Sequence, residues 1–149
     1  MTAGRDIDRL HEELDQLFSD LWRGPRLAAQ RPGFRPHVDA FRTDDPPELR
    51  IVVELAGVDP EEVEIVVADR DLVLSGVRRR PGADPSSRPS YYQVEIEHGP
   101  FERRIRLPED ADAARAKATY QRGLLTIVVP LVSRAAPSAK VSIPIKRAS

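Results

Sequence analysis

The sequence predicts an all-β chain: a two-sheet antiparallel sandwich, preceded by an amphipathic helix and followed by an extended apolar tail. Apolar residues recur with a period of two through most of residues 36–133, the spacing of strands buried on one face. Gly, Pro and Asp punctuate those runs at short intervals, as tight turns require. A helical period occurs only in the first 35 residues. At 149 residues with 14 prolines, the chain fits one domain of ordinary size plus arms, divided as 1–35, 36–133 and 134–149.

In the first zone Ile7, Leu10, Leu14, Leu17, Phe18, Leu21 and Trp22 mark one face of a helix. Asp6, Asp8, Glu12, Glu13 and Asp15 occupy its other faces, with acids well placed near the positive N-terminal end. Gly24-Pro25 stops it. A stripe this apolar needs covering, and its own domain, an oligomer or a sticky partner would each serve.

The second zone supplies seven or eight short strands. Leu49, Ile51, Val53 and Leu55 alternate with Arg50, Val52, Glu54 and Ala56, and a Gly57-Val58-Asp59-Pro60 turn follows. Val63, Ile65 and Val67 resume the period, and Leu72 and Leu74 continue it after the Asp69-Arg70-Asp71 turn. Later strands are expected at Tyr91 to Glu97, Phe101 to Leu107, Arg115 to Tyr120 and Leu124 to Val129. The connection over 78–90 holds Pro81, Gly82, Pro85, Ser86, Ser87, Pro89 and Ser90, and loops of that length in compact domains usually have a task. It either lies disordered on the surface or carries Tyr91 to Glu97 out to another subunit.

In the third zone Ala135 to Ala139 form a flexible linker. Val141-Ser142-Ile143-Pro144-Ile145 then reads as an extended segment fixed by Pro144 that docks on an edge or groove elsewhere. An intramolecular last strand is the less favoured alternative.

Composition excludes several functions. Acidic and basic residues number 24 and 23, so no bulk charge selects nucleic acid. There is no cysteine, hence no disulfide and no thiolate chemistry. The longest apolar stretch, Leu124 to Val132, is too short for a membrane helix and is broken by Thr126 and Pro130. The N-terminus lacks a signal-peptide pattern, and a cytoplasmic protein is expected. His11, His37 and His98 stand far apart, and no phosphate-binding, metalloprotease or nucleophile-elbow motif occurs. Asp69-Arg70-Asp71 and Asp110-Ala111-Asp112 lie in expected turns, where Asp is at home without a metal. The reading is a non-enzyme without cofactor or metal. Arg78-Arg79-Arg80 reads as a solvated loop end. Arg103 shares the inward parity of Phe101, Ile105 and Leu107, so it needs a carboxylate partner or an interface.

Five segments in order resemble the small heat-shock protein family, the α-crystallin-domain chaperones, in its bacterial and plant type. Leu55-Ala56-Gly57-Val58 with Glu61-Glu62-Val63 is similar to the family's L-P-G-V/F and acidic-apolar strand, with Ala56 in place of proline. Leu72-Val73-Leu74-Ser75-Gly76 with Arg78 is similar to L-x-I-x-G-x-R. Gly99 to Pro108 is close to G-x-F-x-R-x-x-x-L-P, with Arg103 and Arg104 at the signature arginines of the dimer and core. Ala118 to Leu125 fits A-x-x-x-N-G-V-L, with Arg122 in place of asparagine and Leu124 in place of valine, which leaves Gly123 alone to supply the positive φ. Ile143-Pro144-Ile145 fits the C-terminal I-x-I motif.

The resemblance implies an immunoglobulin-like sandwich, the α-crystallin domain, and an ATP-independent holdase. Such a protein keeps partly unfolded clients from aggregating until ATP-dependent chaperones refold them. It also implies a dimer built through Tyr91, Tyr92, Val94 and Ile96. Tails docking through Ile143, Pro144 and Ile145 onto a groove of Val63, Ile65, Val67, Ala118 and Tyr120 would join dimers into a larger homo-oligomer. Leu10, Leu14, Leu17, Phe18, Leu21 and Trp22 are the candidate client-facing residues. The alternative is a non-catalytic sandwich acting as a co-chaperone or as a structural or ligand-binding domain. The absent signal peptide and the I-P-I tail weigh against an adhesion module, and the Lys146-Arg147 ending weighs against a co-chaperone with an acidic tail.

Overall fold

The computed structural model describes residues 33–82, 86, 88–133 and 140–149. The expected N-terminal helix, with Leu10, Leu14, Leu17, Phe18, Leu21 and Trp22, lies outside them. Nine strands form among the described residues: β1 (Val38–Asp44), β2 (Pro47–Glu54), β3 (Glu64–Ala68), β4 (Asp71–Arg78), β5 (Gly99–Arg106), β6 (Lys117–Gln121), β7 (Leu124–Pro130), β8 (Val141–Ser142) and β9 (Ile145–Arg147). They make a five-stranded sheet in the order β1-β2-β7-β6-β9 and a four-stranded sheet in the order β5-β4-β3-β8. The expected all-β sandwich is the observed fold.

The period-two residues set the register. Leu49, Ile51 and Val53 of β2 stand opposite Val129, Ile127 and Leu125 of β7, and all six are buried. Ile65 and Val67 of β3 stand opposite Leu74 and Leu72 of β4 and meet the first sheet in one apolar core. Each such side chain removed from water contributes roughly 1.5–3 kcal/mol. Val66, Ala68 and Val73 are buried too, so β3 and β4 lack the clean in-out alternation of β2.

Gly76 has no room for a side chain, because a Cβ there would meet the Phe101 ring at 2.7 Å and the Glu62 carbonyl oxygen at 3.0 Å. The register puts Gly76 directly opposite Phe101, so the glycine makes space for the aromatic ring in the core.

β1 was not foreseen. Its residues are mostly exposed, and an edge strand shows little of the alternation that betrays a buried one. The β6–β7 turn is also corrected: Arg122 (φ 54°) and Gly123 (φ 79°) are both left-handed, the pair of positive φ values that a primed two-residue hairpin turn needs. Gly123 therefore does not carry the conformation alone. A Cβ on Gly123 would lie 3.1 Å from Ala56 Cα, and the Gly123 carbonyl accepts the Leu55 N–H at 2.7 Å. The Leu55-Ala56-Gly57 segment and the Arg122-Gly123 turn are thus pressed together.

Candidate functional site

The candidate site is an interaction surface with two parts: a groove bridged by the tail, and a segment of chain without a ladder. Without the tail, β3 and β6 would end the two sheets on the side that the tail covers. β8 joins β3 antiparallel, with Val66 opposite Ser142 and Val67 opposite Val141. The Ile143 N–H donates to the Ile65 carbonyl at 3.0 Å. β9 then joins β6 in parallel, with Ala118 opposite Ile145, Thr119 opposite Lys146 and Tyr120 opposite Arg147. Pro144, which has no N–H to lose, sits where the tail leaves one sheet for the other.

Ile143 is 3% exposed and belongs to the core, and half-buried Ile145 and Val141 pack against it. Ile65, Val67 and Ala118 are buried beneath the tail, Val63 and Tyr120 are half-buried, and all five belong to or pack on the same cluster. The Tyr120 hydroxyl donates to the Leu55 carbonyl at 2.8 Å, which ties β6 to the turn after β2. The structure thus brings together every residue expected of tail and groove. Here the tail lies on the groove of its own chain.

Tyr91 to Glu97, expected as a strand, forms no ladder in this chain. A strand needs a neighbouring edge, and neither β1 nor β5 takes up this one. Tyr91, Tyr92, Val94 and Ile96 stay exposed, Tyr92 completely. The segment is anchored at its end: Arg78 donates to the Glu97 carbonyl from Nε at 2.9 Å and from Nη2 at 2.6 Å. Arg78 is buried, with its guanidinium 3.5 Å from the centroid of the Phe34 ring. The expectation of a solvated Arg78-Arg79-Arg80 run is therefore wrong for Arg78, whose charge is covered by a ring and by carbonyl oxygens. Arg79 is exposed and pairs with Glu62 at 3.0 Å, while Arg80 lies over the ring of Tyr91.

Arg103 stands opposite Leu74 and is half-buried. Within its own chain it meets a backbone carbonyl in place of a carboxylate, with Nη1 donating to Pro36 O at 2.6 Å. Burial first, and then the charge of Arg35, hold its pKa below the usual arginine range. Arg104 points outward and lies 3.6 Å from Glu102.

Sequence reasoning missed the ion pair between Arg147 and Asp59, at 3.0 Å. The signal for Asp59 was local: Asp-Pro-Glu-Glu is a turn start, and the Asp59 side chain accepts the Glu61 N–H at 3.0 Å. In the Asp69-Arg70-Asp71 and Asp110-Ala111-Asp112 turns one acid each is paired, Asp71 with Arg106 and Asp110 with Arg42. Among the described residues no helix is long and apolar enough to cross a membrane.

A profile described as the Hsp20/alpha crystallin family matches residues 42–146, from within β1 to the Lys146 of β9. The chain belongs to this family. The 16.9 kDa class I heat shock protein 1 of Triticum aestivum is 36% identical over 135 residues, covering 83% of this chain and 88% of the relative. Heat shock protein 16 of Schizosaccharomyces pombe is 31% identical over 132 residues, covering 87% and 91%. Among solved structures, heat shock protein 16.0 of Schizosaccharomyces pombe superposes with a TM-score of 0.61 at 27% identity, over 72% of this chain and 96% of the other. A small heat-shock protein of Xylella fastidiosa, whose structure is described as revealing a distinct high order structure, gives 0.60 at 28% identity, over 72% and 94%. As an Hsp20/alpha crystallin protein this chain is a small heat shock protein, a member of a family of chaperones, and its sandwich is the α-crystallin domain.

Proposed function

We propose that this small heat shock protein is an ATP-independent holdase of the cytoplasm. It binds partly unfolded proteins, suppresses their aggregation and leaves refolding to ATP-dependent chaperones. The observation that carries this reading is the exposed row Tyr91, Tyr92, Val94 and Ile96, apolar surface on chain without a ladder and hence free to change partners. A dimer forms when each chain lends Tyr91 to Glu97 to the open β1 edge of its partner, where Phe41 is exposed. An edge covered in this way no longer invites indiscriminate pairing.

Tails that leave their own groove for that of another dimer join dimers into a larger homo-oligomer. Residues 1–35 serve as the arm and residues 134–149 as the assembling extension. The stripe Leu10, Leu14, Leu17, Phe18, Leu21 and Trp22 faces clients, since a repackable surface suits many partners. The test is light scattering of a heated aggregation-prone protein, without ATP, with and without this chain. Suppression by the native chain, weakened in a Leu14→Ser/Phe18→Ser/Leu21→Ser variant, supports the reading. No suppression at excess chaperone overturns it, and full protection by the triple variant moves client binding to the sandwich.

A further inference from the structure

The tail's apolar anchors, Ile143 and Ile145, discriminate poorly between tails, because burying isoleucine is non-directional. Arg147 adds direction. The β9 ladder places it opposite Tyr120, the Ala148 N–H donates to the Tyr120 carbonyl at 3.0 Å just beyond it, and Gln121 Nε2 donates to the Ser149 carbonyl at 3.1 Å. The backbone bearing the guanidinium is therefore held in register past the isoleucines.

Its partner is fixed as well. Asp59 Oδ1 accepts both Arg147 Nη2 and the Glu61 N–H, each at 3.0 Å, and Pro60 follows with its φ locked. Glu61 and Glu62 make the same turn acidic, although Glu62 is engaged by Arg79. We propose that the Asp59–Arg147 pair decides which tail the groove accepts: one with a cation two positions after the second isoleucine of Ile143-Pro144-Ile145, as a second copy of this chain carries. A tail with an acid at that position is turned away, a repulsive element of the kind specificity requires.

The inference rests on the proposed exchange of tails between chains, and the test separates the two. Four proteins are prepared in full length: Asp59→Arg, Arg147→Asp, the double Asp59→Arg/Arg147→Asp, and Asp59→Asn. The last keeps the acceptor for the Glu61 N–H while losing the charge. Tail docking is read from hydrogen exchange at the Ile143 and Ala148 amides, and assembly from light-scattering mass. Both side chains are partly exposed, so each charge reversal loosens docking by about two- to fivefold per tail, and the loss compounds over many tails in one assembly. Asp59→Asn weakens it less, and the double variant restores it.

An equimolar mixture of Asp59→Arg and Arg147→Asp chains is decisive. Each groove then matches only the other chain's tail, so slow exchange and high mass return on mixing. If both reversals exchange at the native rate, the ion pair selects nothing and the proposal falls. If the reversals loosen the tail and the double variant restores it while the mixture does not, the pair holds the tail of its own chain, and the exchange of tails between chains is what fails.

Discussion

Arg78 places its guanidinium 3.5 Å from the centroid of the Phe34 ring, and the same group holds the Glu97 carbonyl through two N–H donors. One side chain at the end of β4 thus carries a ring, a strand end and the root of the segment proposed to exchange. Burial of an arginine is tolerable here because acceptors meet its N–H donors and its charged centre lies over the ring. Replacing Arg78 by Ala should cost about 2–4 kcal/mol, combining charged hydrogen bonds with the cation–π contact. Arg78→Lys should recover less than half of that, since an ammonium cannot present the planar fork. Urea unfolding of the two variants measures both values, and a loss below about 0.5 kcal/mol for Arg78→Ala, the range of ordinary surface changes, would show that the clamp contributes nothing.

With Glu97 anchored at one end, the reach of Tyr91 to Glu97 depends on the chain before it. Deleting residues 81–89 should leave the segment unable to cross to a partner. The expected result is a folded monomer by light scattering, with sheet content near that of the parent by circular dichroism. Normal dimers from the shortened chain would mean that dimerisation uses another surface.

Arg122 is an arginine in a left-handed conformation, with φ of 54°, which costs a non-glycine residue about 1–2 kcal/mol. Asparagine tolerates this region better, so Arg122→Asn should raise stability by about 1 kcal/mol or less. A β-branched residue such as valine should lower it. Denaturant midpoints at unchanged slope would report the difference; a destabilised Arg122→Asn protein would mean that the arginine makes a compensating contact.

The same turn marks what could be read from the sequence and what could not. The core strands were legible because Leu49, Ile51, Val53, Leu125, Ile127 and Val129 face inward at every second position, and that period is a direct imprint of the pleat. The tail was legible as a docking segment because two isoleucines flank a proline. Which chain's groove it takes was not, since period and composition do not distinguish one copy's groove from another's. β1 was hidden because an edge strand that buries little leaves little pattern. The burial of Arg78 and the reach of Arg147 to Asp59 were hidden because each joins residues far apart in sequence. Tyr91 to Glu97 carries a strand's alternation without a ladder in its own chain, a pattern fulfilled only if another chain supplies the edge.

Acid should test the tail at Asp59. Its carboxyl is held below the ordinary aspartate value of 3.8, chiefly by the Glu61 backbone N–H; burial opposes this next, and the hydrogen bond and then the charge of Arg147 lower it further. A carboxyl depressed in the folded state contributes its stabilisation in full above the ordinary value and loses it as pH falls through the lowered one. Tail docking should therefore show no Asp59-dependent change between about pH 5 and 8 and lose the Asp59 contribution only below 3.8. A carboxyl-carbon NMR titration should follow this. In Arg147→Ala most of the depression should persist, because the Glu61 N–H remains. A return of Asp59 to the ordinary value in that variant would make Arg147 the dominant influence.

The tail itself should be marginal as a single contact. Burying Ile143 fully and Ile145 in part gains roughly 1.5–3 kcal/mol for the first and less for the second. Ordering the residues from Val141 to Arg147 costs roughly 1–2 kcal/mol each, a cost lowered at Pro144 and offset by the ladders to β3 and β6. The isoleucines alone do not meet that cost, so a single tail should be weakly held and exchange readily between grooves. Many tails acting together should still hold the proposed assembly, because each further contact is made within a complex already formed. Heating that loosens single tails would then open the assembly cooperatively and bare the edges of β3 and β6. Replacing both isoleucines by glycine removes the gain and raises the ordering cost. The Ile143→Gly/Ile145→Gly protein should run as dimers on multi-angle light scattering, with its sandwich intact by circular dichroism. If it keeps the parent's mass instead, assembly depends on some contact other than the tail.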